Sequence, residues 1–365
     1  MNEPLLDGNE ERYLMECIKT GWIAEGPFVK RLEEEFAKRV GRKHGVAVCN
    51  GSIALDIAVA ALGIGPGDEV ILPTFTIISC AAAIIRAGAV PILVDCDPAS
   101  WNCSAAQIEE NITTRTKALL LVHIYGLPVD MDPILVLARK YGLKIIEDAA
   151  EMHGQTYKGR ACGGFGEIST FSFYANKLVT TGEGGILVTD NDALAQRCRY
   201  LRNLCFQENR RFVHEELGWN ARMSNLQAAV GVAQLERIEE FLIRKRKIGA
   251  FYTDQLRQVA AISLPIPRTS YAENAYWVYG LVLDDTVPFQ ADEVIKRLAS
   301  AGVGARPFFW PMHEQPVFRK MGLFVRDSHP NAERLARRGL YLPSGLALTE
   351  AQALRVVDAL REILT

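Results

Sequence analysis

Between Lys43 and Ala150, short apolar runs alternate with amphipathic ones, and this alternation constrains the fold more than any other feature of the chain. The order is strand "HGVAVCN", helix "SIALDIAVAALG", strand "DEVILP", helix "IISCAAAIIRAG", strand "VPILVDCD", a short helix from Ser104, strand "KALLLVHIYG", helix "MDPILVLARKYG" and strand "KIIEDAA". Apolar strands of this kind need both faces covered, and the intervening helices supply the cover. The pattern therefore predicts an α/β fold with a mainly parallel sheet between helices. "TFSFYA" and "GGILVTD" then follow with little between them, which suits an added antiparallel element. After Ser224, "NLQAAVGVAQLERIEEFLIRKRKIGAFYTDQL" reads as one long helix bridging to a second domain. Beyond it, "LPIPRTSYAEN" and "LDDTVPF" read as loops, and "YWVYGLVL" and "VGARPFFW" as strands around the helix "ADEVIKRLASAG". The chain closes on the helix "TEAQALRVVDALREIL", capped at Thr349. A chain of 365 residues is too long for one compact core. The expected division is a large domain, 1–245, with the N-terminal segment and bridging helix, and a smaller α+β domain, 246–365.

Charge and cysteine usage remove several function classes. A formal charge of −2 gives none of the basic excess that nucleic acid or an anionic membrane surface requires. No segment reaches the ~20 apolar residues of a membrane span. The opening "MNEPLLDGNE" has neither the basic nor the apolar part of a signal peptide, so the cytoplasm is the expected compartment. The eight cysteines form no CxxC pair, and neither a metal site nor a disulfide framework is expected.

In an open parallel sheet, ligands sit beyond the carboxyl ends of the strands, where helix N-termini point at them. In "CNGSIALD" a strand ends and a helix begins. Gly51 permits close backbone approach there and Ser52 adds a hydroxyl, which together suit a phosphate; a plain helix cap would look the same. In "IIEDAAEMHG", Asp148 follows two isoleucines at a strand end, so its carboxylate is half buried and needs a cation or several donors. It is either a structural cap or an acid that keeps a heterocyclic nitrogen protonated, the partner expected for pyridoxal phosphate. Glu151 and His153 are close enough to line the same pocket, although His153 would serve equally as a core histidine. Lys177, in "FSFYANKLVTTGEGG", follows a buried strand. It is either a snorkelling side chain or a desolvated amine able to bond covalently to an aldehyde cofactor. Ser172 could supply a further phosphate donor. Each motif is weak alone, but the phosphate loop, aspartate, serine and lysine in this order form a constellation.

At these residues the chain resembles the fold type I, pyridoxal-phosphate-dependent nucleotide-sugar aminotransferases of the DegT/StrS type, over nearly its whole length. The matching pieces are "NGSIALDIAVAALGIGPGDEVILPTFT", "VHIYGLPVDMDPI", "IEDAAEMHG", "STFSFYANKLVTTGEGG", "GWNARMSNLQAAVGVAQLERI" and "RPFFWPMH". The resemblance implies a seven-stranded sheet in the large domain and a homodimer with shared active sites. It implies that Lys177 anchors the cofactor, that Asp148 pairs with the pyridine nitrogen and that Glu151 lies near the ring's oxygen side. Gly51, Ser52 and Ser172 would hold the phosphate, with Asn220 reaching it from the neighbouring subunit. Arg222, Trp310 and His313 would meet the sugar nucleotide. The implied reaction moves an amino group from L-glutamate to a nucleotide-linked 4-keto-6-deoxy sugar, with GDP-4-keto-6-deoxy-D-mannose first in line, for surface polysaccharide such as O-antigen.

Two departures bear on this reading. Ile77 stands where relatives place an aromatic residue on the pyridine ring, which forgoes ~0.5–1.5 kcal/mol of stacking. Tyr174-Ala175 and Asn220-Ala221-Arg222 stand where Phe-Gly and Asn-Tyr-Arg are usual, which leaves the sugar open. A dTDP- or UDP-linked keto sugar aminated at C3 or C4 is the alternative substrate. Sugar dehydratases of this type carry histidine at the lysine position, so Lys177 argues against that activity. A fold type I enzyme acting on amino acids, and a non-catalytic binding or regulatory protein, complete the alternatives.

Overall fold

The computed structural model describes residues 3–364, so the outermost residues of both expected domains, and the first two of "MNEPLLDGNE", lie outside the described residues. Two helices, α1 (Glu10–Thr20) and α2 (Pro27–Val40), precede the alternating region. It then runs β1 (His44–Val48), α3 (Gly51–Ala61), β2 (Glu69–Pro73), α4 (Ile78–Arg86), β3 (Val90–Val94), α5 (Ala105–Glu109), β4 (Thr116–Val122), α6 (Met131–Tyr141) and β5 (Lys144–Asp148). A small hairpin, β6 (Thr156–Tyr157) and β7 (Arg160–Ala161), leads to β8 (Ile168–Ser172) and β9 (Gly185–Thr189). The seven long strands form one sheet in the order β1-β9-β8-β5-β4-β2-β3. Only β9 runs against the rest, which is the antiparallel element expected from "GGILVTD".

Successive residues on these strands enter cores on opposite faces of the sheet. Ile145 packs in the cluster that holds Leu32, Phe36, Ala228 and Val232, whereas Ile146 packs with Leu55, Ile57 and Ile84. That two-sided burial is why the strands read as continuous apolar runs.

After α7 (Asp192–Arg202), the expected long helix is two, α8 (Asn225–Leu235) and α9 (Ile238–Leu256). The break falls at Arg237, with φ −113° and ψ 10°. Side chains from the N-terminal segment hold this corner: Glu236 accepts from Asn9 and Tyr13, each at 2.6 Å, and from Arg31 at 3.0 Å, while Arg237 pairs with Asp7 and Glu240. Helix α9 passes through position 245 unbroken.

A second sheet is wholly antiparallel. It contains β10 (Ile262–Ser263), β11 (Tyr279–Leu283), β12 (Arg306–Pro307) and β13 (Gly339–Leu342) in the order β10-β11-β13-β12. Helices α10 (Ala291–Ser300), α11 (Pro316–Lys320), α12 (Pro330–Arg338) and α13 (Glu350–Leu364) complete this part. Strand β12 is much shorter than "VGARPFFW" suggested, because Pro307 has no N–H to give to a ladder. Thr349 and Gln352 cap α13 reciprocally, with Gln352 N–H donating to Thr349 Oγ1 at 3.3 Å and Thr349 N–H to Gln352 Oε1 at 2.9 Å. One face of this sheet, with Tyr279, Leu281, Leu340 and Leu342, packs in a core shared with residues of α9, α10 and α13. Its other face meets the first sheet's body: a Cβ on Gly280 would lie 2.7 Å from Phe308 and 3.2 Å from Trp101.

Candidate active site

A cavity of about 540 Å³ opens at the carboxyl ends of β1, β2, β4, β5 and β8 and is closed by Tyr341 of the second sheet and by Trp277 and Phe309 from the segments flanking that sheet's strands. One corner is built from two helix N-termini. Asn50 caps α3, its Oδ1 accepting from Ile53 N–H at 2.9 Å. A Cβ on Gly51 would fall 2.8 Å from the Cβ of Ser172, so glycine is what lets this helix start press against the end of β8. Ser52 Oγ lies 2.7 Å from Ser79 Oγ in the first turn of α4. Three hydroxyls, Ser52, Ser79 and Ser172, and the unpaired N–H groups of two first turns therefore converge. Ser79 was missed from the sequence, although the strand–helix junction that singled out Ser52 was present there too.

Asp148, at the end of β5, is buried against this cavity. The Cys80 thiol donates to Oδ2 at 3.3 Å and Ala150 N–H to Oδ1 at 3.1 Å. Burial still pushes its carboxyl above the usual range, against these donors and the charge of Lys177. Its cross-strand neighbour Thr170 also lines the cavity, and the buried Thr170 Oγ1 has no hydrogen-bond partner among the described residues. The preceding residue, Glu147, faces away. Burial alone would raise it, but donors from His123 Nε2 at 2.9 Å, Gly163 N–H and Phe165 N–H outweigh that and hold it low. Val129 N–H donates to His123 Nδ1 at 3.0 Å, so the other nitrogen carries the proton that Glu147 accepts. His123 reaches the cavity wall in that fixed orientation.

Lys177 enters from the loop after β8. Its Nζ lies 3.8 Å from Glu151 Oε1 and 4.0 Å from the centroid of the Trp277 ring. Burial lowers its proton affinity, against the pull of Glu151 and Asp148. Burial also raises Glu151 to about 8, against Lys177 and a 2.6 Å hydrogen bond from Tyr125 N–H. Both shifts come from loss of water and both favour the neutral forms. Trp277, Phe309 and Tyr341 complete the wall and were not singled out from the sequence. Tyr341 comes from the second sheet and the other two from segments flanking its strands, and no local pattern announces that placement.

The structure thus brings Gly51, Ser52, Ile77, Asp148, Glu151, Ser172 and Lys177 to one cavity, with Ile77 44% exposed at its surface. Five other candidates stand elsewhere in this chain. His313 is buried with Nδ1 2.9 Å from Thr74 Oγ1 and Nε2 3.1 Å from Glu333 Oε1, so both nitrogens are engaged away from the cavity. Trp310 lies outside, its ring 5.2 Å from the Arg337 guanidinium. Arg222 pairs with Glu25 at 2.9 Å, and Asn220 is exposed beside Asn203. His153 is a core residue packed among Phe36, Phe171 and Phe173, and burial lowers it to about 3.

The model of the DegT/DnrJ/EryC1/StrS aminotransferase family matches residues 4–361. The chain belongs to that family. A relative from Caulobacter vibrioides named GDP-perosamine synthase is 43% identical over 362 residues, covering 99% of this chain and 97% of the relative. One of the same name from Escherichia coli O157:H7 is 38% identical over 361 residues, with 99% and 97% covered. Among solved structures, the aminotransferase TlmJ from Streptoalloteichus hindustanus superposes with a TM-score of 0.92 at 32% identity, over 99% of this chain and 97% of that one. DesV of S. venezuelae gives 0.90 at 35% identity, over 98% and 94%.

The DegT/DnrJ/EryC1/StrS member described here is a pyridoxal-phosphate-dependent sugar aminotransferase. Its cavity fits that cofactor on its own evidence. A corner of hydroxyls and free helix N–H groups suits a phosphate, a buried carboxyl of raised proton affinity suits a protonated ring nitrogen, and a desolvated amine faces both. The unpartnered Thr170 hydroxyl beside Asp148 marks a polar position a bound group would satisfy.

Proposed function

We propose that the chain transfers an amino group from L-glutamate to C4 of GDP-4-keto-6-deoxy-D-mannose, giving GDP-perosamine for a surface polysaccharide such as O-antigen. The observation that carries this reading is the 43% identity, over nearly the full length of both chains, to the relative named GDP-perosamine synthase. Pyridoxal phosphate, when bound, supplies the carbonyl carbon that takes up the amino group and the ring that delocalises the electron pair released by deprotonation.

The chain's residues divide the remaining work. Gly51, Ser52 and Ser172, joined by Ser79, hold the phosphate, and Asn220 of a second copy completes that corner in a homodimer with shared active sites. Asp148 holds the proton at the ring nitrogen, with Cys80 and Ala150 N–H fixing its carboxylate. Ile77 packs on the ring, and Glu151 keeps a proton on its oxygen side. Lys177 would hold the cofactor, and its weakly basic amine would be the group that accepts the proton leaving the donor's α-carbon in one half of the reaction and donates a proton to the acceptor carbon in the other. Trp277, Phe309 and Tyr341 keep water from that amine. We assign 1–245 to the cofactor domain and 246–365 to the smaller one, with α9 crossing between them. All eight cysteines are free thiols, which supports a reducing, cytoplasmic setting.

The test is a single turnover. Enzyme pre-loaded with the amino group by L-glutamate, then freed of donor, is offered GDP-, dTDP- and UDP-linked keto sugars. Amination of the GDP-linked 4-keto sugar at C4 well ahead of the others is the expected result, and preference for another nucleotide would overturn it.

A further inference from the structure

Three carboxylates line the cavity, Asp148, Glu151 and Glu183, against one amine, Lys177. A cofactor phosphate in the serine corner adds to the negative side. An acceptor carrying a diphosphate therefore needs a cation that the cavity wall itself does not contain. The second sheet has one in position. Arg306 on β12 lies directly opposite Tyr341 on β13, and cross-strand partners project from the same face. Tyr341 lines the cavity. The next pair, Pro307 and Leu340, belongs to the other face, where Leu340 is fully buried in the small core. Arg306 is thus on the cavity side of an edge strand, beyond which no further strand pairs among the described residues.

Several arginines of this part of the chain are committed to ion pairs. Arg334, Arg337 and Arg338 pair with Asp285, Glu314 and Asp285 respectively, and Arg297 pairs with Glu293. Arg306 is exposed and forms no ion pair among the described residues.

We propose that Arg306 binds the diphosphate of the nucleotide-sugar acceptor, an assignment that rests on the reading given under Proposed function. Guanidinium donors form a fork that matches phosphate oxygens, and a pair of this kind gives both affinity and direction. The donor's carboxylates carry the same sign of charge, but the α-carboxylate is one bond from the reacting carbon and must enter the cavity with it. The diphosphate is held off from the keto carbon by the width of the sugar ring, which suits a residue at the rim.

Equilibrium binding of GDP, dTDP, UDP and the parent nucleosides to cofactor-saturated enzyme tests this, beside the rate at which L-glutamate alone converts the bound cofactor. Arg306→Gln is expected to weaken the preferred diphosphate by about tenfold or more, leaving the nucleoside and the glutamate reaction unchanged, with Arg306→Lys intermediate. Unchanged diphosphate affinity, or a loss confined to the glutamate reaction, overturns the assignment. The wild type's own preference judges the acceptor reading separately: tighter binding of dTDP or UDP sinks the GDP reading while the Arg306 comparison still stands. Wild-type binding of none of the three overturns both.

Discussion

Replacing Trp277 by leucine should lower the proton affinity of Lys177 further below its already depressed value. The ammonium form of Lys177 sits 4.0 Å from the centre of the indole ring, over its negative face. In a site this dry, such a contact is worth about 2 kcal/mol. At ~1.36 kcal/mol per pH unit, its loss shifts the amine by about 1.5 units. The sign follows from which form the ring favours: the indole stabilises the cation, so removing it adds to the effect of burial. Leucine keeps the wall apolar, which limits any compensating entry of water. The midpoint can be read in cofactor-free enzyme, from the rate of acylation at Lys177 across the neutral and alkaline range, with the modified peptide identified by mass spectrometry. The variant also loses the hydrogen bond from indole Nε1–H to Asn176 O, 3.1 Å long, so its melting temperature should fall modestly, by the equivalent of about 1 kcal/mol. A midpoint that stays in place or moves up would refute the reasoning and leave Glu151 as the group that sets the amine's affinity.

Asp148→Asn keeps the shape but not the charge; turnover should drop by orders of magnitude while cofactor affinity, measured by fluorescence titration, changes much less, and near-normal turnover would mean another partner for the ring nitrogen. Lys177→Ala should be folded and inactive, and mixing it with an inactive Asn220 variant should restore part of the activity through one intact site per mixed dimer; no recovery despite proven subunit exchange would count against shared sites. Lys245, donating to Ser344 Oγ at 3.3 Å inside the protein, is pushed by burial down to about 7. The unfolded chain therefore binds more protons than the folded one between about pH 7 and the ordinary lysine value, and stability rises with pH across that window before levelling off. Urea unfolding of Lys245→Met should lose that rise, and an unchanged pH slope would assign it elsewhere.

What was legible in the sequence is what local chemistry specifies. Asp148 and Lys177 were readable because each closes or follows a continuous apolar strand, and strand ends are where a parallel sheet presents ligand-binding groups. Gly51 and Ser52 were readable from the strand-to-helix junction alone. The surroundings of His313 and His153 were not readable, for a common reason. Each is close in sequence to cavity residues, yet its surroundings are set at long range: His313 by Thr74 and Glu333, His153 by Phe36 and Phe173. The corner at Arg237 was hidden in the same way, since an amphipathic stripe does not reveal that Asp7, Asn9 and Tyr13 will hold a turn in it.

The division between legible and hidden residues follows a division of labour in the site. The strand-end groups are those to which we assign the reactive atoms, whereas Tyr341 arrives through pairing within another sheet, Trp277 and Phe309 from the segments flanking its strands, and none of the three carries the expected chemistry. Yet the proton affinities on which the strand-end groups depend are set by burial, and those three aromatics line the same cavity. Lys177 is a weak base because water is absent around it, and Glu151 holds a proton near neutrality for the same reason. Substitutions in the aromatic wall should therefore move titration midpoints before they move the fold. Substitutions at Asp148 or Lys177 should remove the reaction and leave the wall standing.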